Sequence, residues 1–200
     1  MQQDLKSELT KQLIIDKAFN LFYEKGFKTT SIEKIMKATT LSKGAFYHHY
    51  KNKKELGLEV IGLKIQKRVY DGMIFPLSES GDAFKIIEST FLNRIKSFPF
   101  YDKKHGCPMN NFINEIGDYE LAYQNALKSI VENWKNALVA LIERGKKENS
   151  INNTISSKAV AVYLISAFEG IRGLRKLYVD DLILDDYIMG LSLYLKQLKP

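Results

Sequence analysis

The sequence predicts an all-α fold of about nine helices, in which a small N-terminal three-helix module precedes a larger helical domain. Three observations lead there. Apolar residues recur at helical spacing along most of the chain, no segment sustains the period-two alternation of a half-buried strand, and the breaks fall at Gly, Pro or a capping Ser, Thr or Asp. Two hundred residues, 45% of them apolar, suffice for one sizeable core or for a small module joined to a larger one.

Residues 1 to 28 read as the first helix. Ser7 or Thr10 can cap it, Ile14, Ala18, Leu21 and Phe22 fall at i, i+4, i+7 and i+8, and Gly26 supplies the usual C-terminal stop. Thr30 can cap a short second helix, with Glu33 completing a capping box and Ile32, Ile35 and Met36 forming its apolar side. Ala38 to Leu41 breaks that pattern. Ser42 then offers an N-cap for a third helix, Lys43 to Tyr50. Leu56, Val60, Leu63 and Val69 make a helical stripe from Lys53 to about Met73, stopped by Pro76. A Gly-Asp start at Asp82 and Pro99 bound an amphipathic helix to Ser97. FPFYDKKHGCPMNN, with two prolines and a glycine, predicts a loop, followed by a short helix from about Met109 to Ile116. Asp118 can cap a long helix to about Lys147. Ser156 or Ser157 begins a helix to about Tyr178, and Asp185 or Asp186 begins the last, to Leu198.

The third helix carries the chemistry. At 100° per residue Phe46 and Tyr50 share an inward face, while Gly44, Tyr47 and His48 share the outward one. Gly44 lets backbone approach a phosphate, Tyr47 and His48 can donate to phosphates or base edges, and Lys43, Lys51, Lys53 and Lys54 surround them with positive charge. These residues describe a helix-turn-helix holding double-stranded DNA. The same pattern also fits a small helical hairpin whose lysines are an ordinary solvated face.

LSKGAFYHHYKNKKEL, with the upstream AFNLFYEKGFKTTSIEKI, resembles the N-terminal domain of the TetR family of bacterial transcriptional regulators. The match rests on Ser42-Lys43-Gly44, the aromatic-Tyr-His-x-aromatic run Phe46 to Tyr50, and Lys53 to Leu56. The resemblance implies DNA contacts from the positions of Thr30, Lys43, Gly44, Tyr47, His48 and Lys53, to which the reading of the third helix adds Ser42 and Lys51. One position departs from the family pattern: Thr40 occupies the turn where the family usually has Gly, and a β-branched residue is costly in a left-handed conformation. A different turn or a shifted helix pairing is the expected consequence.

Charge agrees with this placement. Residues 1 to 56 hold eleven lysines against six acidic residues, most of the net +7 of the chain. No apolar run is long enough to span a bilayer and MQQDLKSEL has no apolar signal core, so the expectation is a cytoplasmic protein with no membrane partner. A single cysteine precludes an intrachain disulfide and a four-cysteine zinc site. No Gly-rich phosphate loop, nucleophile elbow or H-E-x-x-H motif is present, so neither an enzyme nor a cofactor or metal is expected.

The last two helices are apolar on more than one face. Leu164, Ala167, Ile171, Leu174 and Tyr178, then Ile188, Leu191 and Leu195, fit either the chain's own core or a homodimer interface; the resemblance implies the latter, as a four-helix bundle. KKHGCPMNN resembles a Gly-Cys segment through which some family members sense electrophiles or oxidants. Cys107, after Lys103, Lys104 and His105 and near a helix start, is either a reactive thiolate or a packed core residue. Phe91, Phe112, Tyr123, Trp134 and Phe168 either fill the core or line a pocket for an apolar small-molecule effector. The expectation is therefore a ligand-responsive repressor released by a small apolar or electrophilic molecule, with residues 1–52 binding a near-palindromic DNA operator and 53–200 binding ligand and dimerising. The alternative is a helical scaffold whose basic N-terminus contacts an acidic partner.

Overall fold

The computed structural model describes residues 2–200, and all regular structure among them is helical. The chain divides into two compact units.

The first unit takes the chain up to Lys67 and adds Pro108–Lys128. Helix α1, Gln2–Lys25, starts well before the expected caps Ser7 and Thr10. It buries Ile14, Ile15, Ala18 and Phe22 against α2, Ile32–Thr39, and α3, Lys43–His49. The cap of α2 is Ser31 rather than Thr30: its hydroxyl accepts from the Lys34 amide at 3.2 Å, and no capping box with Glu33 is needed. Thr30 is turned inward and donates its hydroxyl to the Gly26 carbonyl at 2.7 Å.

Thr40 adopts the left-handed conformation after all, at φ 59°. Its amide still reaches the Lys37 carbonyl at 3.4 Å, and the neighbouring Thr39 hydroxyl accepts from the Leu41 amide at 3.2 Å. Local hydrogen bonds thus offset the cost of a β-branched residue there, and the turn closes as glycine would close it.

Helix α4 begins at Lys53, capped by Asn52, and is regular to Val60. The helical run continues through wide π turns at Ile61–Gln66 and Tyr70–Ile74 to a tight turn at Phe75–Ser78. Pro76 therefore lies inside the run, near the start of that last turn, where its missing N–H costs little.

The second unit comprises Arg68–Cys107 and Ser129–Pro200. Its helices are α5 (Ala83–Lys96, capped by Asp82) and α6 (Phe100–His105). Beyond α7 (Pro108–Ile116) come most of α8 (Leu121–Lys147), then α9 (Ser157–Leu174, capped by Ser156) and α10 (Leu182–Lys196). Helix α6 replaces an expected loop. Pro99 precedes its first residue and Gly106 ends it at φ 78°, so residues read as breakers act as start and stop signals. Helix α8 starts at Leu121 because Gly117 to Glu120 turn the chain out of α7 instead of entering α8 at Asp118. Helix α10 starts three or four residues early. Asp181, below its usual pKa because the Lys103 ammonium and then the Arg175 guanidinium bond to it, fixes the chain there, and its carbonyl accepts from the Leu184 amide at 2.9 Å.

Candidate nucleic-acid interface

Helix α3 has two faces of opposite character. Phe46 and Tyr50 are buried in the first unit, while Lys43, Gly44, Tyr47 and His48 are exposed, Tyr47 by 53%. Ser42 caps the helix, accepting from the Ala45 amide at 3.4 Å. A Cβ placed on Gly44 would meet nothing nearer than the Ser42 hydroxyl at 3.7 Å, so packing does not demand glycine there. The absent side chain leaves backbone open to solvent. The Lys51 side chain is exposed close by, and its amide donates to Glu55 at 2.8 Å.

Lys53, expected among the lysines around the outward face of α3, is half-buried. Its ammonium donates to the carbonyls of Phe27 and Thr30, both at 3.0 Å, and lies 4.4 Å from the centre of the Phe27 ring. Burial lowers its pKa from the usual lysine value. It ties α4 to the end of α1.

The family models agree with this geometry. Residues 14–60 match "Bacterial regulatory proteins, tetR family", and residues 90–190 match "Tetracyclin repressor-like, C-terminal domain". The chain belongs to the TetR family of bacterial transcriptional regulators. It is therefore a DNA-binding helix-turn-helix regulator and not an enzyme.

Among TetR-family relatives, the HTH-type transcriptional repressor DhaR of Mycobacterium sp. (strain GP1) is 23% identical over 167 residues, covering 80% of this chain and 79% of its own. The transcriptional regulator AcuR of Cereibacter sphaeroides is 22% identical over 171 residues, 82% and 75% of the two chains. A TetR transcriptional regulator from Chloroflexus aurantiacus J-10-FL has the same fold, with a TM-score of 0.85, 23% identity and 96% of each chain covered. Among the described residues no helix is long and apolar enough to cross a membrane.

The five aromatics read as a single pocket separate between the units of this TetR-family chain. Phe112 and Tyr123 lie in the first, with rings 5.9 and 5.5 Å from Phe27. Phe91, Trp134 and Phe168 form a wholly buried cluster in the second: Phe91 stacks on Trp134 at 6.2 Å, and Phe168 meets both edge-on at 5.6 and 5.9 Å. The Trp134 indole Nε1 is buried without a hydrogen-bond partner among the described residues. Cys107 is buried, and the Lys103 ammonium is engaged with the carbonyls of Val179 and Asp180 at 2.9 and 2.8 Å.

On the final two helices, Leu164, Ile171, Leu191 and Leu195 are buried within the unit, Ala167 and Ile188 are half-buried, and Leu174 and Tyr178 are exposed. Ala167, Gly170, Ile171 and Leu174 of α9 face Tyr187, Gly190 and Leu191 of α10 across an open groove of about 540 Å3.

Two residues that shape the DNA-reading unit were not singled out in the sequence. Phe27 packs against Phe22, Phe112 and Tyr123 as well as Lys53, and a Cβ on Gly57 would lie 2.8 Å from its ring. Glu115 accepts from the Lys28 amide at 2.9 Å, and its carboxylate occupies the space that a side chain at Gly26 would need. Phe27 lies inside the stretch that carries the family resemblance but off its helical stripe, and Glu115 belongs to no local motif. The partners of Glu115 are 87 residues away in the chain, a spacing that periodicity does not register.

Proposed function

We propose that the protein is a repressor that binds a near-palindromic operator as a homodimer and is released by a small apolar molecule. The exposed face of α3 carries this reading: Gly44, Tyr47 and His48 point outward between Lys43 and Lys51, and packing does not demand glycine at position 44. Repressor action is drawn from relatives such as DhaR, whose name states it. Selection of bound fragments from the source genome, repeated across salt concentrations, tests it. A steep fall in affinity with salt and an inverted-repeat consensus are expected. Salt-insensitive binding, or preference for an acidic protein over duplex DNA, would return the scaffold reading.

Within this reading, Tyr47→Ala weakens operator binding by about 1 to 3 kcal/mol and leaves stability unchanged. Lys53→Ala differs, because it strands two carbonyls and loses a ring contact: it lowers stability as well as affinity. Urea unfolding beside an operator titration separates the two effects. Unchanged operator affinity in Tyr47→Ala would remove α3 from the major groove.

The effector site in this proposal lies around Phe91, Trp134 and Phe168, where an unpartnered indole N–H offers one polar anchor in an apolar setting. Effector binding favours a state whose paired α3 helices no longer match the two half-sites, and a swing from 1:99 to 99:1 requires about 5.5 kcal/mol of preference. Cys107 acts in packing. Iodoacetamide is expected to label it more slowly than it labels free glutathione at neutral pH, because the thiol is buried. Labelling faster than glutathione, coupled to DNA release and lost in Cys107→Ser, would make the cysteine a sensor instead.

A further inference from the structure

In the second unit three guanidinium groups surround one ring. The Cζ atoms of Arg172, Arg94 and Arg68 lie 4.1, 4.7 and 6.0 Å from the centre of Phe98. Arg68 pairs with the buried carboxylate of Asp102. Arg172 pairs with Glu169 at 3.5 Å and donates to the Gly106 carbonyl at 3.4 Å. Arg94 has no ion-pair or hydrogen-bond partner among the described residues; the carboxylate near it is Asp102, already engaged by Arg68.

In the ion pairs Arg68–Asp102 and Arg172–Glu169 both nearby carboxylates already face another arginine, and Arg94 adds a third guanidinium in a half-buried position. Partial burial, and then the charges of Arg68 and Arg172, hold the Arg94 guanidinium below its usual pKa. Its fork is also sterically placed. A Cβ on Gly72 would lie 2.8 Å from Arg94 Nε and 3.0 Å from Nη2, so glycine makes room for the guanidinium against the helical run that carries Arg68. Beyond Phe98, Phe168 follows at 6.1 Å, and Phe168 in turn meets Trp134, whose indole N–H has no acceptor among the described residues.

We propose that this cluster is the anchor of an effector site for a monocarboxylate with a planar apolar body. The carboxylate takes the fork of Arg94 and the body lies along Phe98 towards Phe168. A guanidinium fork matches the two oxygens of a carboxylate, and a local excess of one positive charge suits a monoanion better than a phosphate dianion. This narrows the effector reading above, keeping the apolar body and adding a charged end, and rests on it.

Trp134, the single tryptophan, supplies a direct reporter. Its fluorescence in the full-length protein is followed during titration with benzoate, and with benzamide as the uncharged isostere, at constant ionic strength. A saturable change with benzoate is expected, roughly tenfold weaker with benzamide and roughly tenfold weaker in Arg94→Gln. Arg94→Gln should keep or raise the melting temperature, since it removes an uncompensated charge, and Arg94→Lys, with charge but no fork, should fall between it and the parent. The site is overturned if benzoate gives no saturable change, if benzamide binds as well, or if Arg94→Gln binds benzoate like the parent protein. The readout needs no DNA. Benzoate binding without any effect on operator release would therefore leave the carboxylate site standing and remove only its effector role.

Discussion

On the homodimer proposal, Leu174→Asp is expected to yield a folded monomer with sharply reduced operator affinity. Leu174 is 51% exposed in the single chain, so the new carboxylate stays hydrated and the unit keeps its own core of Leu164, Phe168 and Leu195. In a pair of chains the same carboxylate would be buried without a partner, a far larger cost than the lost leucine contact. The surface around it has the character of an interface. Tyr163, Leu177, Leu182, Met189 and Leu193 are exposed on the same two helices and the turn between them, and added Cβ atoms at Gly170, Gly173 and Gly190 would meet nothing within 4 Å. Backbone there is open to a second helix. Two half-sites read together gain affinity by effective concentration, so a monomer loses roughly 10²- to 10⁴-fold in operator binding. Sedimentation and operator titration on one sample check both halves of the expectation. A variant that stays dimeric would move the partner surface elsewhere, and a monomer with full affinity would end the paired half-site model.

Phe27→Ala has the largest expected effect on the DNA-reading unit itself. The ring is buried and touches Phe22 at 4.8 Å, Tyr123 at 5.5 Å and Phe112 at 5.9 Å, with the Lys53 ammonium on its face at 4.4 Å. Truncation opens a cavity among side chains too large to collapse into it, at a cost of about 3 to 5 kcal/mol. Operator affinity should fall as well, because the ring fills the junction where Lys53 ties α4 to the end of α1. Urea unfolding measures the first effect, and operator titration at a temperature where the variant is folded measures the second. A loss of less than about 1 kcal/mol would show that the junction repacks without the ring.

These two residues differ in how far the sequence announces them. Leu174 falls on a helical stripe, and an amphipathic period is a local property that any window of the chain contains. Phe27 sits just past a glycine at the end of α1, off any stripe, and its importance comes from Phe112 and Tyr123, far along the chain. The caps show the same division. Ser42 and Asp82 cap where expected, because a cap needs one side chain and amides two or three residues on. Thr30 and Asp118 do not: the first is drawn inward to the Gly26 carbonyl, and the second lies within a turn.

What the sequence determined alone was the helical class, the order of the helices other than α6, and the α3 face that presents Gly44, Tyr47 and His48. These follow from side-chain spacing and from a compact motif, Ser42 to Leu56, whose chemistry is local. Tertiary structure decided the rest. It placed Lys53 on two carbonyls rather than in solvent, turned Pro99 and Gly106 into the ends of a helix, and divided the five aromatics between two units. It also gathered Arg68, Arg94 and Arg172 around Phe98 from three separate stretches of chain. Burial and charge balance are sums over neighbours in space, and the neighbours of Arg94 are set by packing, which a one-dimensional period does not encode.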